Sequence, residues 1–265
     1  MEAKLDLQEW FGGIDIYIFD QLLKGRIVPG MSVLDAGCGS GRNLVYFLRS
    51  GYEVFGVDES EDAILQVRKL AASLAPHLPG ENFWVGSVEG LAEQGKSKKV
   101  KVKSEEGSGS RELGTGNREQ EIGNRESDTA RVVSALGTLP FRNQQSAVSN
   151  PQSVDVVLSS AVLHFARDEQ HWQAMVSAMW SVLKPGGMFF ARLASTIGME
   201  NRVRLIEGRR YQLPDGSDRF LVDEAMLHQV TSALGGEFIE PIKTTVVEKM
   251  RAMTTWVGRK RIADS

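Results

Sequence analysis

The chain has 265 residues, of which 42% are hydrophobic and 25% charged, and its formal net charge at pH 7 is −3. Without a net positive charge, electrostatic capture of nucleic acid is not expected. The single cysteine excludes an intramolecular disulfide. The sequence shows neither a signal-peptide pattern between Met1 and Trp10 nor an apolar run of the about 20 residues that a membrane-spanning helix needs. We therefore expect a cytoplasmic protein, and the sequence leaves its oligomeric state open.

A short apolar segment followed by an acid and three alternating glycines is the most informative stretch. The run from Met31 to Leu34 predicts a buried strand, and the apolar spacing after the glycines predicts a helix. Between them stands Asp35-Ala36-Gly37-Cys38-Gly39-Ser40-Gly41. Glycine has no Cβ and tolerates a positive φ, so such a turn lets the backbone approach a nucleotide closely. The dinucleotide pattern would need glycine at position 42, where Arg42 stands, and no P-loop lysine follows.

A second predicted strand, from Tyr52 to Asp58, ends in a carboxylate. In a doubly wound sheet, an acid about 20 residues after the first glycine reaches the ribose hydroxyls of a bound nucleotide. Because the glycine turn offers no phosphate site, the pair favours a nucleoside without phosphate. S-adenosylmethionine is such a ligand.

At this point the chain resembles the class I S-adenosylmethionine-dependent methyltransferases, whose first and second motifs match Asp35 to Gly41 and Val57-Asp58. Val154 to Ser160 is similar to the family's fourth strand. Leu183-Lys184-Pro185-Gly186-Gly187 is similar to its turn into the fifth strand, predicted from Met188 to Leu193. The resemblance therefore covers most of the chain.

The fold that this resemblance implies is α/β, with a Rossmann-like, doubly wound, seven-stranded and mostly parallel sheet. Before the fifth strand, Asp168 predicts an N-cap, and apolar residues at helical spacing follow it. The end of the chain predicts a C-terminal antiparallel hairpin with strands within Glu237–Val246 and Met250–Val257.

We expect a single methyltransferase domain over residues 1–265, interrupted by a low-complexity insertion at 93–137. Residues 94–131 carry nine Lys/Arg and seven Asp/Glu, and a seven-residue repeat within them lacks the paired apolar positions of a coiled coil. Such a segment buries too little apolar surface to offset ordering entropy, so we predict disorder. Its lysine-rich start, Lys96 to Lys103, is interpreted as a solvated tether, with contact to an acidic partner as the alternative.

The resemblance also implies a cofactor site. Gly37, Gly39 and Gly41 would let the chain pass close to the methionine and ribose portions of the cofactor. Asp35 would hold the methionine end, and Asp58 would accept from both ribose hydroxyls. Two structural alternatives stay open, since Asp35 would also suit a cap for the following turn and Asp58 a cap for the following helix.

The adenine end departs from the family pattern. After the third predicted strand, Asn82 to Gly86, Ser87 stands where the family usually has an aspartate, and Val88 would offer its backbone N–H and an apolar face to the purine. The family's Leu-Pro-Phe motif appears only at Leu139-Pro140-Phe141, after the insertion. The remaining cofactor-site residues implied by the resemblance are Cys38, Glu59 and Ser159.

Methyl transfer from a sulfonium is an in-line displacement that depends on positioning and water exclusion and requires no metal. His164, just after the fourth strand, is the candidate catalytic base, with a packing or helix-start role as its alternative. The aromatic segment Trp10–Tyr17 is interpreted as a lid or as core packing. Four arginines after the fifth strand suit either an anionic substrate or a solvated helix face; they are Arg202, Arg204, Arg209 and Arg210.

We therefore predict methyl transfer to a small-molecule acceptor. Gly41-Arg42-Asn43 and Gly51-Tyr52 are similar to the tellurite-resistance and thiopurine-type branch, which acts on small soft nucleophiles. The alternatives are a non-catalytic cofactor-binding regulator or scaffold, a protein or RNA methyltransferase, and a nicotinamide oxidoreductase, against which the glycine spacing argues.

Overall fold

The protein is described here from a computed structural model, which describes residues 6–91 and 153–262. The predicted low-complexity insertion at 93–137 and the Leu139-Pro140-Phe141 motif lie outside the described residues. The expectation of a single domain with a disordered insertion therefore stays a prediction.

The described residues form six α-helices, eleven strands and two 3₁₀ turns, at Gly80–Asn82 and Leu163–Phe165. The helices are α1 (Leu7–Phe11), α2 (Ile16–Leu23), α3 (Val45–Arg49), α4 (Glu61–Leu74), α5 (Glu169–Ser181) and α6 (Glu224–Ala233). The strands are β1 (Ser32–Ala36), β2 (Glu53–Asp58), β3 (Phe83–Val85), β4 (Val154–Ser160), β5 (Leu183–Ser195), β6 (Arg204–Glu207), β7 (Arg210–Gln212), β8 (Asp218–Phe220), β9 (Gly236–Phe238), β10 (Lys243–Val247) and β11 (Arg251–Lys260).

The main sheet has the strand order β10-β11-β5-β4-β1-β2-β3. The five strands from β5 to β3 pair in parallel, whereas β11 pairs antiparallel with both β5 and β10. The predicted mostly parallel α/β sheet with a C-terminal hairpin is confirmed. Strand order reverses between β1 and β4, and in such sheets ligands bind outside the carboxyl ends of the strands at this switch point.

Helices cover both faces of the sheet and bury two large apolar clusters. On one face, α5 begins at the predicted N-cap Asp168, whose carboxylate accepts from the His171 N–H at 2.7 Å. Trp172 and Met179 of α5 are fully buried in the cluster on that face. On the other face, α4 begins at the N-cap Ser60 and buries apolar residues at helical spacing. Since the sheet is buried on both faces, β1 is fully buried along its length.

The C-terminal edge of the sheet differs from the prediction. The predicted strand over Glu237–Val246 is broken into β9 and β10, which both pair with β11, so the main sheet has eight strands. Pro241 lies in the break, where it has no N–H to donate to a strand ladder. Glu240 is buried there, and although burial acts to raise its pKa, contacts with Lys24, Lys243 and Arg26 lower the pKa to about 2. These ion pairs connect the segment between β9 and β10 to the C-terminal end of α2.

A second, three-stranded antiparallel sheet, β6-β7-β8, lies between β5 and α6 in the chain, and the sequence analysis did not predict it. The interpretation of the four arginines as a helix face was wrong, because Arg204 and Arg210 belong to β6 and β7. Arg209 pairs instead with Asp223, at 2.9 Å.

The N-terminal aromatic segment packs on the body of the protein. The Phe11 ring stacks on Tyr46 of α3, with centroids 5.0 Å apart, and meets Phe19 edge-on at 4.9 Å. Both contacts favour the packing interpretation for Phe11. Within the described ranges, no helix combines the length and apolar character needed to cross a bilayer.

Candidate functional site

Two neighbouring cavities open where the carboxyl ends of the parallel strands meet. We call the first, of about 290 Å³, the acidic cavity; it is lined by Gly37, Asp58, Glu59, Gly86, Val88, Glu89, Ala161, Val162, Phe165, His171 and Met175. We call the second, of about 510 Å³, the basic cavity; it is lined by Ala161, His164, Phe165, Arg192, Ala194, Leu213, Asp215, Ser217, Arg219, Val247, Arg251 and Met253.

The wall between the two cavities is formed by Ala161 and Phe165, which line both. Ala161 has a φ of 66°, an uncommon value for a residue with a side chain, and its N–H donates to the Arg192 carbonyl at 2.8 Å. A left-handed alanine costs on the order of 1 kcal/mol, so the surrounding structure must hold this corner in place. Ala161 follows β4 directly, and the two cavities lie side by side at this residue.

The glycine turn after β1 forms one side of the acidic cavity. The Gly37 N–H donates to the Val57 carbonyl at 2.8 Å, and Gly37 has a φ of 83°. A Cβ at this position would lie 2.3 Å from Cγ2 of Val162, so no larger residue fits. At Gly39, φ is 53° and a Cβ would meet nothing within 4 Å, which leaves open space beside the backbone. A Cβ at Gly41 would lie 2.7 Å from Val67 of α4, so this glycine serves packing.

Asp58, at the end of β2, lines the acidic cavity and also supports the glycine turn. Its Oδ2 accepts from the Gly39 N–H at 2.8 Å, and its Oδ1 accepts from the Ser60 N–H at 3.0 Å. Each carboxylate oxygen accepts more than one hydrogen bond, so both remain able to accept from a ligand. The capping alternative and the ligand-binding prediction are therefore compatible. Glu59 lines the same cavity.

Asp35 is 1% exposed, and among the described residues neither of its carboxylate oxygens has a hydrogen-bond partner. Burial raises the pKa of Asp35 to about 7, with nearby Asn43 and Arg42 acting in the opposite direction. The capping alternative is thus wrong for this residue. A buried carboxylate without partners is costly, and a ligand that brings a cation or hydrogen-bond donors reduces that cost. Asp35 fits the methionine end of the predicted cofactor in this respect.

Three residues assigned to the cofactor site from the sequence, Asp35, Cys38 and Ser159, are buried and do not belong to the cavity lining. The Cys38 thiol donates to the Gly39 carbonyl, and burial raises its pKa far above the ordinary value. The Ser159 hydroxyl is fully buried on β4 and has no hydrogen-bond partner among the described residues. Their direct role at a ligand stays a prediction.

The predicted adenine end contains an acid that the sequence analysis missed. Val88 lines the acidic cavity, whereas Ser87 does not, and the Ser87 hydroxyl accepts from the Gly90 N–H at 3.4 Å. Glu89 lines the cavity and contacts Nε2 of His171. Burial acts to raise the pKa of Glu89, but hydrogen bonds from its own N–H and from His171 hold the pKa below its ordinary value. A carboxylate therefore lines this cavity two residues after position 87, where the resemblance led us to expect one.

His164 lines the basic cavity on the 3₁₀ turn that follows β4. It is 7% exposed, and among the described residues its Nδ1 has no hydrogen-bond partner. Burial lowers the pKa of His164 to about 4, and the positive charges of Arg219 and Arg251 act in the same direction. The imidazole is therefore neutral at pH 7 and a weak proton acceptor.

A buried acid connects the N-terminal segment to both the strand ends and the basic cavity. Asp15 Oδ2 accepts from the Ser160 hydroxyl and from the Arg192 guanidinium, each at 3.0 Å. The same guanidinium lies 5.3 Å from the Tyr17 ring centroid. Arg42 of the glycine turn also donates to Ser160, at 3.2 Å. The N-terminal segment is thus held at the rim of the site by charge as well as by aromatic packing.

Sequence reasoning missed residues on both sides of the wall. Glu89 was detectable, because it lies two positions beyond the serine that replaces the expected acid. Arg219 and Arg251 gave no signal, since one comes from the unpredicted second sheet and the other from the start of the last strand.

Comparisons with solved structures agree with this architecture. The PH0226 protein of Pyrococcus horikoshii OT3 is 15% identical, with 96% of each chain covered and a TM-score of 0.56. The 1,6-didemethyltoxoflavin-N1-methyltransferase of Burkholderia thailandensis, crystallised with 1,6-didemethyltoxoflavin and S-adenosylhomocysteine, is 15% identical over 99% of this chain and 94% of that one, with a TM-score of 0.53. Magnesium protoporphyrin IX methyltransferase of Synechocystis PCC 6803, crystallised with SAM, is 14% identical over 92% of this chain and 77% of that one, with a TM-score of 0.51. At these identities the likeness concerns the fold.

A search of curated protein sequences gave no significant match. Residues 18–230, well over half of the chain, match the family described as methyltransferase domain. This match confirms the resemblance on which the sequence analysis relied. The chain therefore belongs to the methyltransferase domain family.

Proposed function

We propose that this chain is an S-adenosylmethionine-dependent methyltransferase that binds its cofactor in the acidic cavity and a small-molecule acceptor in the basic cavity. The observation that carries the proposal is that the two cavities adjoin at Ala161 and Phe165, because methyl transfer requires the two ligands to come into direct contact.

The acidic cavity suits S-adenosylmethionine, which carries no phosphate and has a positively charged sulfonium. Asp35 would hold the methionine end, and Asp58 would accept from the ribose hydroxyls. Val88 and Glu89 would meet the adenine, the latter in place of the predicted Ser87. When bound, the cofactor supplies an electrophilic methyl group. The orphaned Asp35 carboxylate and the open space at Gly39 are the features of this structure that fit such a ligand.

The basic cavity supports the small-molecule part of the proposal. It is a concave pocket of about 510 Å³ with apolar walls and a few polar groups, which is typical of small-ligand sites. Two structural neighbours are named for small acceptors, a didemethyltoxoflavin and a magnesium porphyrin. The narrower likeness to the tellurite-resistance and thiopurine-type branch and the cytoplasmic location stay predictions.

The residues of the wall and the basic cavity would act by positioning and by excluding water. Phe165 would cover the junction of the two ligands, and the Arg192–Asp15 pair would fix the N-terminal segment at the rim. His164 would face the acceptor as a neutral imidazole. With a pKa of about 4, it suits acceptance of a hydrogen bond better than removal of a proton from a weakly acidic group.

Calorimetric titration of S-adenosylmethionine and S-adenosylhomocysteine tests the cofactor part of the proposal. We compare the native chain with Asp58→Asn and with the matched control Asp62→Asn, an exposed acid on the first turn of α4. Loss of one charge-assisted hydrogen bond should weaken binding about 10- to 100-fold in Asp58→Asn, with no such change in Asp62→Asn. Absence of binding to the native chain would refute the proposal.

Turnover separates the enzyme from the alternative of a non-catalytic cofactor-binding regulator. The native chain is incubated with S-adenosylmethionine and a panel of small thiols, phenols and carboxylates, and formation of S-adenosylhomocysteine is followed. Acceptor-dependent formation supports the enzyme. Tight cofactor binding with no turnover on any acceptor would favour the regulator.

A further inference from the structure

The basic cavity has a charge that the rest of the chain does not share. Three arginines line it against a single acid, Asp215, although the whole chain has a net charge of −3. The three arginines reach it from different elements: Arg192 from β5, Arg219 from β8 and Arg251 from β11. Convergence of this kind concentrates positive potential in a concave space.

Within the described part of the chain, only one of these arginines forms an ion pair with a carboxylate. Arg192 pairs with the buried Asp15, at 3.0 Å. For Arg219 and Arg251, the described residues provide no carboxylate within 4.0 Å, the limit of an ion pair. The nearby Asp215 carboxylate accepts instead from the N–H and hydroxyl of Ser217. Two guanidinium groups therefore line the cavity without a directly paired carboxylate, and the charge of Asp215 acts on both only at longer range.

Half of the residues that line the basic cavity are apolar. Phe165, Leu213 and Met253 face the same space as the arginines. The Arg219 guanidinium lies 4.9 Å from the Phe165 ring centroid, an arrangement that restricts the orientation of its planar fork. A planar guanidinium binds the two oxygens of a carboxylate or phosphate simultaneously. The wall thus offers an anion site next to a surface for an apolar body.

We propose that the acceptor is a small amphipathic anion, with an apolar body bearing a carboxylate or a phosphate that Arg219 and Arg251 bind. The proposal rests on the proposed function in that it takes the basic cavity as the acceptor site. Opposite charges would then occupy the two cavities, since the acidic cavity suits a cationic cofactor. The arrangement also favours anionic acceptors over neutral analogues of the same shape, because a neutral group would form no ion pair with the two guanidinium groups.

The test measures binding rather than turnover, using the full chain saturated with S-adenosylhomocysteine. Three probes of similar shape are titrated by calorimetry: 2-naphthoate, 2-naphthyl phosphate and the neutral 2-naphthamide. The variants are Arg219→Gln and Arg251→Gln, with Arg261→Gln as the matched control, because Arg261 is exposed and lies outside both cavities. Retained S-adenosylhomocysteine affinity in each variant shows that the fold is intact.

We expect at least one anion to bind at least about 10-fold more tightly than the amide, and each cavity variant to remove most of that preference while Arg261→Gln keeps it. The ratio of the naphthoate and phosphate affinities identifies the anionic group. Equal binding of amide and anions, no anion binding, or a preference that survives both cavity variants would overturn the anion proposal. Failure of S-adenosylhomocysteine to bind the native chain would instead refute the proposed function.

Discussion

The two cavities lie side by side at one edge of the sheet and have opposite chemistry. The acidic cavity takes its acids, Asp58, Glu59 and Glu89, from the end of β2 and from the segments after β2 and β3. The basic cavity is built from the last strands and the second sheet, and its charge comes from arginines. Each also has a buried titratable group with a displaced pKa, Asp35 beside the first and His164 in the second.

This contrast shows that two cavities at one edge of the sheet are built in different ways. Short turns after β1 and β2 place the acids close to the backbone, which suits a ligand bound largely by main chain and carboxylates. Longer excursions after β5 bring side chains from distant parts of the chain to the second cavity. The first site is therefore specified locally, and the second by tertiary structure.

The largest effect is expected at the glycine turn of the acidic cavity. Gly37→Ala would place a methyl group 2.3 Å from Val162 in a backbone with a φ of 83°. The clash and the strained φ together should lower the free energy of unfolding by about 2–5 kcal/mol. Gly51→Ala is the matched control, because Gly51 has a φ of 74° and a Cβ there meets nothing within 4 Å. Equal losses in urea unfolding for the two variants would show that Gly37 is not under steric constraint.

Asp35→Asn should separate stability from cofactor binding in the acidic cavity. The folded pKa of about 7 lies above the ordinary 3.8, so the native chain holds an extra proton between these values and loses stability as the pH rises through them. Relative to the native chain, Asp35→Asn should gain up to about 4 kcal/mol between pH 4 and pH 8, while S-adenosylhomocysteine binds it more weakly. Urea unfolding at both pH values measures the gain. A constant difference would contradict the assigned burial of this carboxyl.

His164→Gln should give the opposite pH dependence in the basic cavity. The folded pKa of about 4 lies below the ordinary 6.5, so the unfolded chain takes up a proton first and the native chain loses stability as the pH falls from 6.5 to 4. That loss, up to about 3 kcal/mol, should be missing in the variant. Turnover should show no inflection near pH 6.5 from this residue. An inflection that disappears in His164→Gln would instead identify it as the base.

The smallest effect concerns the adenine end of the acidic cavity. Glu89→Gln should weaken S-adenosylhomocysteine binding about 10-fold, because a neutral amide accepts a weaker hydrogen bond than a carboxylate. Ser87→Ala should change affinity less, since Ser87 does not line the cavity. Glu61→Gln, an exposed acid on α4, is the control for the charge change. A larger loss of affinity in Ser87→Ala than in Glu89→Gln would indicate that Ser87, as the sequence predicted, contacts the adenine.

The sequence predicted the parallel part of the fold well, and the reason is local. Val154–Ser160 was identified, with the bounds that the structure shows, from its similarity to the family's fourth strand, in which an aspartate is followed by apolar residues. The helix after Asp168 and its cap were likewise readable from spacing. The second sheet was missed because its strands are three or four residues long and β6 is exposed throughout, so they lack an apolar pattern.

By itself, the sequence determined the glycine turn, the acid at the end of β2 and hence the kind of cofactor, because these groups act through backbone conformation and short-range spacing. Tertiary structure alone decided that Arg219 and Arg251 line one cavity, since their positions depend on how β8 and β11 meet at the sheet edge. It also decided the pKa of Asp35 and of His164, because both shifts arise from burial among residues distant in the chain.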